Sequence, residues 1–188
     1  MSIEFTNEKC EFFTIETDYV KELHSKDTEV FFDNTPDYSN KPYIGILVSS
    51  NNYKYFIPLT SAKEKHKRWK NKTKTNYIIY EMIDKSELRP NDIYREFENT
   101  DEVKKILAVL EIKKMIPVKD GLYHKVDFSL VSDLSYRDLL EKEYEFCKPL
   151  LSEIVKKAQV IYNKQKDSGV VEELHCNFSL LEEICNNY

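Results

Sequence analysis

The sequence predicts an α+β domain: a twisted antiparallel sheet core flanked by helices. Three observations predict it. Short runs rich in Phe, Tyr, Ile and Val fill the chain up to residue 128, and from Ser135 the apolar spacing turns helical. Strands followed by helices, rather than alternating with them, make an antiparallel sheet with segregated helices. With 188 residues and no linker, residues 1–188 are expected to form one domain.

Residues 11–16 (EFFTIE) read as a first strand, and Asp18 to His24 as a short helix. Residues 33–42 (DNTPDYSNKP) have turn chemistry and are expected to be a loop. Residues 43–49 (YIGILVS) and 53–59 (YKYFIPL) are two strands, and Ser50, Asn51 and Asn52 join them as a hairpin. Pro58 near the end of the second strand suits a sheet edge or a bulge, because proline donates no ladder hydrogen bond. Residues 75–83 (TNYIIYEMI) are a third strand. Residues 101–107 are expected to form a short helix leading into a strand over 108–118, and 122–128 a further strand. Leu139, Leu140, Phe146 and Leu150 then recur at helical spacing. Pro149 suits the first turn of a second helix that runs through Ile154, Val155, Ala158 and Ile161 to about Lys166, with Gly169 as a stop. Ser179 with Glu182 has the pattern of a capping box opening a last short helix.

The composition excludes more enzyme classes than it suggests. Three glycines cannot build a P-loop, G-x-S-x-G is missing, and no H-E-x-x-H stands among the 33 acidic residues. Cys10, Cys147, Cys176 and Cys185 have no C-x-x-C spacing, so free thiols are expected rather than a zinc or redox site. His175 beside Cys176 is one pair, not a ligand set. Neither a metal nor a cofactor is expected. Met1 to Lys9 carries Glu4 and Glu8 and has no apolar core, unlike a signal peptide. No stretch approaches the roughly 18 apolar residues of a membrane span. A cytoplasmic protein without membrane contact is the expectation.

Charge is strongly polarised. The whole chain carries −5, yet residues 63–74 (KEKHKRWKNKTK) hold seven Lys or Arg and one acid. That run is therefore +6 and the rest of the chain −11. One surface suits phosphate and another repels it. Taken alone, such a run reads equally as a solvated loop.

The run begins inside the segment Tyr55 to His66 (YFIPLTSAKEKH). Thr60, Ser61 and Lys63 stand directly after a strand, with His66 three residues on. Two hydroxyls and a lysine suit phosphate: donors for its non-bridging oxygens and a charge for the transition state. His66 or a perturbed Lys63 has the chemistry to move protons. In ordinary turns the same hydroxyls cap helices.

Four stretches, in order, give this segment a context. They are Tyr38-Ser39-Asn40-Lys41 before Tyr43-Ile44-Gly45-Ile46; Lys54-Tyr55 through Pro58-Leu59-Thr60-Ser61-Ala62-Lys63 with His66; Met115-Ile116-Pro117; and Cys176-Asn177-Phe178-Ser179-Leu180-Leu181-Glu182. Together the chain resembles the ToxN/AbiQ family, the ribonuclease toxins of type III toxin–antitoxin and abortive-infection (phage-defence) systems. The resemblance implies a MazF-like toxin fold and a groove lined by Tyr38, Lys41, Thr60, Ser61 and Lys63. Its implied partners are cellular RNA substrates and a cognate small RNA antitoxin of pseudoknot repeats, which the toxin cuts from a precursor. In some members three toxins and three RNAs close into a ring. The spacing from Tyr38 to Lys41 is a residue shorter than in some relatives, and the basic run is denser.

The implied reaction is attack by an RNA 2′-hydroxyl on the adjacent phosphate. Lys63, Ser61, Thr60, Tyr38 and His66 are the candidate catalytic residues. Lys41, Lys65, Lys67, Arg68, Trp69, Lys70 and Lys72 are the candidate RNA-binding ones. A lysine near its ordinary pKa of ~10.4 is a poor base at neutral pH. Lys63 therefore needs a depressed pKa, or it only balances charge while His66 or Tyr38 takes the proton. Trp69 reads either as a base-stacking platform or as a half-buried anchor. His24, His124 and His175 read as structural, and Asn177-Phe178 as a lock on the C-terminal segment. Two other functions stay open: an RNA-binding regulator without catalysis, and a protein-interaction module on the helices after Ser135.

Overall fold

The computed structural model describes residues 5–6, 9–32, 44–49 and 53–188. Its sheet is antiparallel throughout and contains β1 (Phe12–Ile15), β2 (Ile44–Ser49), β3 (Lys54–Ser61), β4 (Asn76–Asp84), β5 (Ile93–Glu96), β6 (Glu102–Glu111), β7 (Ile116–Val118) and β8 (Tyr123–Lys125). The order is β4-β6-β3-β2-β1-β8, with β5 also on β6 and β7 also on β3. Helix α1 (Thr17–Lys26) follows β1, and α2 (Leu134–Cys147), α3 (Leu151–Ser168) and α4 (Phe178–Asn187) close the chain. The α+β class read from the sequence is the observed one.

Strands β2 and β3 pair from Gly45 opposite Pro58 to Ser49 opposite Lys54, the hairpin register expected. Their connection, 50–52, and the loop 33–42, with Tyr38 and Lys41, lie outside the described residues. A Cβ on Gly45 would sit 2.1 Å from the Ile57 carbonyl oxygen, so only glycine lets β2 approach β3 here.

Pro58 corrects one expectation. It is buried in a central strand, not on an edge. On one side it faces Gly45; on the other, β7 pairs with Lys54–Phe56 and β6 with Leu59–Ser61. Pro58 falls in the gap between those two partners, where its missing N–H costs no ladder bond.

Residues 102–107 lie in strand β6, not in a helix. β6 pairs with β4 over nine positions and with β5 over Val103–Ile106, and this two-sided ladder overrides local preference. The strand expected over 108–118 is broken by a 3₁₀ turn at Ile112–Lys114 between β6 and β7. β5 was not foreseen: four residues after Pro90-Asn91-Asp92 are too few to show a period.

The core is rich in rings. Tyr19, Tyr55, Tyr162, Phe12, Phe56 and Phe178 are fully buried, and each contributes roughly 1.5–3 kcal/mol by leaving water. α1 buries Tyr19, Val20 and Leu23, and the Tyr19 hydroxyl donates to the Pro117 carbonyl at 2.7 Å. α3 and α4 join the sheet through the buried carboxylate of Glu182, which accepts from Tyr55 and Tyr162, each at 2.7 Å, and from Lys166 at 2.6 Å. Glu182 is thus no part of a capping box. Asn177 caps α4, its side chain accepting from the Leu180 N–H at 3.1 Å. Phe178 stacks on Tyr162, the locking role expected of it. α3 ends at Gly169 in a left-handed conformation (φ 66°), as read. Cys10, Cys147, Cys176 and Cys185 are all free and buried. Among the described residues no helix is long and apolar enough to cross a membrane.

Candidate active site

β6 organises the site. Along one edge it carries β3 opposite Ala108–Leu110 and then β5 opposite Val103–Ile106. Its register against β4 shifts between Ile79 (opposite Ala108) and Tyr80 (opposite Ile106), leaving Leu107 bulged. Bulges kink a strand and re-aim side chains. β3 therefore ends at Ser61 against a bent stretch of β6, and the chain leaves the sheet through Ala62 and Lys63.

Ser61 and Lys63 are exposed, and neither side chain has a hydrogen-bond or ion-pair partner among the described residues. Thr60 faces the other side of the strand. Its hydroxyl donates to the Val109 carbonyl at 3.4 Å, on the side of the buried Glu111. Burial pushes the Glu111 pKa up, while Lys113, Lys114, Lys65 and the Thr60 hydroxyl pull it back.

A 3₁₀ turn, Glu64–Arg68, follows Lys63, and His66 holds its start. The His66 N–H donates to the Lys63 carbonyl at 2.8 Å, and the Lys63 N–H donates to His66 Nδ1 at 3.0 Å. His66 is 1% exposed, and burial beside Lys65 and Lys63 pushes its pKa down to about 4. The ring is therefore neutral at physiological pH. With Nδ1 accepting, its proton sits on Nε2, which is buried without a partner among the described residues.

Much of the rest of the basic run is anchored. Arg95 on β5 donates to the carbonyls of His66 (2.8 Å) and Trp69 and to Asn71 Oδ1 (3.0 Å). Lys157 on α3 donates to the Thr73 carbonyl at 2.5 Å, and Lys72 pairs with Glu153 at 2.5 Å. Trp69 packs on Ile78, Ile106 and Val109, with Lys65 Nζ 5.4 Å above its ring. Lys67 pairs with Glu64 at 3.0 Å, whereas Arg68 and Lys70 are exposed without an ion pair among the described residues.

Residues 11–186 match the sequence profile of the family described as Toxin ToxN, type III toxin-antitoxin system. The chain belongs to the ToxN toxin family. Among curated relatives it is similar to endoribonuclease ToxN of Bacillus thuringiensis subsp. kurstaki, 27% identical over 94% of this chain and 83% of that one. Endoribonuclease ToxN of Pectobacterium atrosepticum is 27% identical (92% and 90% covered), and endoribonuclease AbiQ of Lactococcus lactis subsp. lactis 26% (91% and 85%). A solved structure concerning selective inhibition of a type III toxin by a non-coding RNA pseudoknot superposes with a TM-score of 0.68 at 26% identity, covering 96% of this chain and 98% of that one. The AbiQ structure, an anti-phage endoribonuclease, also gives 0.68, at 22% identity over 96% and 98%, and supports the fold.

Within this ToxN-family chain, the structure brings Thr60, Ser61, Lys63, Lys65, His66 and Trp69 around one turn. Lys70 and Lys72 lie farther along the same loop. Sequence reasoning missed Arg95 and Glu111. Each is one charged residue in a strand, and only the pairing of β3 and β5 with β6 brings them to the loop. His24, His124 and His175 are bound to Val30, Glu16 and Glu173 respectively, away from the turn. Among the described residues no three His, Cys, Asp or Glu side chains gather as a metal site.

Proposed function

We propose that this chain is a sequence-selective endoribonuclease toxin that cuts RNA by attack of the substrate's own 2′-hydroxyl on the adjacent phosphate. A pseudoknot RNA of repeated units inhibits it and is cut by it, and the toxin–antitoxin pair serves abortive infection of phage-infected cells. One domain carries the activity in the cytoplasm, where both RNAs are found. Family resemblance adds assembly with the RNA into a closed ring of three and three.

The observation that carries this reading is the pair Ser61 and Lys63. Both side chains are exposed and, among the described residues, without a partner at the end of a sheet strand, while the Lys63 backbone is fixed from behind by His66. A hydroxyl donor and a cation two residues apart on a held backbone can meet one phosphate and stabilise the charge that develops on it. RNA carries its own nucleophile, so the chain needs to supply only charge and proton transfer. Thr60, whose hydroxyl donates to the Val109 carbonyl, positions rather than reacts. Neutral, buried His66 is better suited to hold Lys63 than to exchange protons with substrate. Proton removal then falls to Lys63 or to Tyr38, with Lys41 as a neighbouring cation. Lys65, Lys67, Arg68, Trp69, Lys70 and Lys72 form the surface for the RNA backbone.

The test is the chemistry of the product ends. The upstream fragment should end in a 2′,3′-cyclic phosphate and the downstream one begin with a 5′-hydroxyl, by mass spectrometry. Cutting should persist in excess EDTA on RNA shown to remain folded. A 5′-phosphate on the downstream fragment, or normal cutting of a 2′-deoxy substrate, would place the nucleophile outside the substrate and end the scheme. An RNA-binding regulator would produce no fragments at all.

A further inference from the structure

Beside the turn lies a cavity of about 370 Å³ that the cleavage scheme does not use. It opens where β3 stops and β5 starts on the same edge of β6. Ser61 is opposite Ala108, Ile93 is opposite Ile106, and the bulged Leu107 lies between. Ala62, flanked by Ser61 and Lys63, forms one wall, and the first turns of α2, with Tyr136, form another.

The lining is polar and held in place. Lys105 lies 3.0 Å from Asp92 and 3.8 Å from Glu81, and all three side chains are at most 20% exposed. Lys142 on α2 pairs with Glu81 at 2.9 Å and with Asp138 at 3.0 Å. The Tyr136 hydroxyl has no hydrogen-bond partner among the described residues. Glu81 Oε1, 3.8 Å from Lys105, is beyond hydrogen-bond distance of it and remains an acceptor.

Charge decides what fits. With Arg89, the cavity has three cations and three carboxylates and is close to neutral, whereas the adjoining run 63–74 carries +6. A phosphate is drawn to the run and repelled by the carboxylates. An uncharged base meets no such repulsion and finds donors and acceptors held by ion pairs. The volume lies in the range of small-molecule sites, about 300–1,000 Å³. RNA is read in this way through unpaired bases splayed from the strand.

Resting on the ribonuclease reading above, we infer that this cavity receives one unpaired nucleobase next to the scissile phosphate and reads its edge. Glu81 and Tyr136 are its specificity-determining residues. A site built to hydrogen-bond a polar edge rejects the wrong edge strongly, because its own buried groups are then left unpaired.

The experiment uses a pool of RNAs randomised on both sides of the cut, cleaved by the full chain, by Glu81→Gln and by Tyr136→Phe, with fragments sequenced. Gln keeps the shape of Glu but replaces an acceptor with a donor. Phe removes one hydroxyl and serves if the first variant fails to fold. The expected result is a change of about tenfold in base preference at a single position, the same one in both variants. Unchanged preferences at every position overturn the inference, whether or not the overall rate falls. If Glu81→Gln tightens binding of all sequences equally, the cavity holds a phosphate, and the inference is overturned too. Failure of the unaltered chain to cut any member of the pool would instead overturn the ribonuclease reading.

Discussion

Arg95, on the short strand β5, donates to the backbone carbonyl of His66 at 2.8 Å. The same guanidinium also takes the Trp69 carbonyl and Asn71 Oδ1. His66 in turn holds both backbone polar groups of Lys63. A residue some thirty positions downstream thus fixes the turn after Lys63 through its backbone.

Loss of this clamp should show in rate before fold. Arg95→Ala removes the guanidinium donor from the Trp69 carbonyl and Asn71 Oδ1 and leaves the His66 carbonyl only the Trp69 N–H at 3.1 Å, a cost of about 1–3 kcal/mol for groups that stay buried. We expect RNA cleavage to fall by about tenfold or more, since small misplacements of a positioned group are costly. Arg95→Lys should recover part of the stability but little of the rate, because an ammonium cannot span three acceptors in a plane. Equal rates for all three proteins, measured with thermal midpoints on the same samples, would remove the positioning role.

Expression without antitoxin RNA should arrest bacterial growth, and Lys63→Ala or Ser61→Ala should relieve the arrest. Both side chains are exposed, so neither change should cost more than about 0.5 kcal/mol of stability. Growth assays at matched protein abundance check this. A Lys63→Ala protein that is still fully toxic would move the site elsewhere.

The basic run should govern RNA affinity in proportion to its unpaired charge. Each phosphate contact adds about 0.7–0.9 to the slope of log affinity against log salt. Replacing Lys67, Arg68 and Lys70 together with alanine should flatten that slope. Arg68 and Lys70 should account for most of the change, because Lys67 is already paired with Glu64. Filter binding at several salt concentrations separates the three. An unchanged slope would leave the run without a role in binding.

His66 makes the fold acid-sensitive. Its pKa is held down to about 4 by burial and by Lys65 and Lys63, against about 6.5 in the unfolded chain. As pH falls from 6.5 towards 4 the unfolded state takes up the proton first. His66's stabilising contribution, complete above pH 6.5, is lost across that window. His66→Asn, which keeps an acceptor for the Lys63 N–H, should flatten the stability curve between pH 6.5 and 4. Urea unfolding at each pH measures it, and a curve parallel to that of the unaltered chain would count against the assignment.

Glu143 acts with the opposite sign. It is buried on α2, and desolvation pushes its pKa up to about 8. The folded state favours the neutral form, so its contribution is complete below about pH 4.5 and is lost as pH rises through 8. Glu143→Gln should therefore stabilise the chain at pH 8 by on the order of 1–3 kcal/mol and have little effect at pH 4. Chemical unfolding at both values tests the difference.

The sequence by itself determined the class, the β2–β3 hairpin and three C-terminal helices, and it singled out Thr60, Ser61 and Lys63, although Thr60 and Ser61 end β3 rather than follow it. These rest on local signals: alternation, helical spacing, turn residues, and a motif contiguous in the chain. Only the tertiary structure decided how the turn is held. Residues 101–107 read as a short helix, yet Val103–Ile106 pair on both edges within β6, because ladders to β4 and β5 outweigh local preference. Pro58 reads as a residue of a sheet edge or a bulge, and it stands in a central strand where two partner strands leave a gap. Arg95, Glu111 and Glu81 have no local pattern at all. Strand pairing brings them to Lys63 across 18 to 48 positions, and such separations leave no periodicity to read.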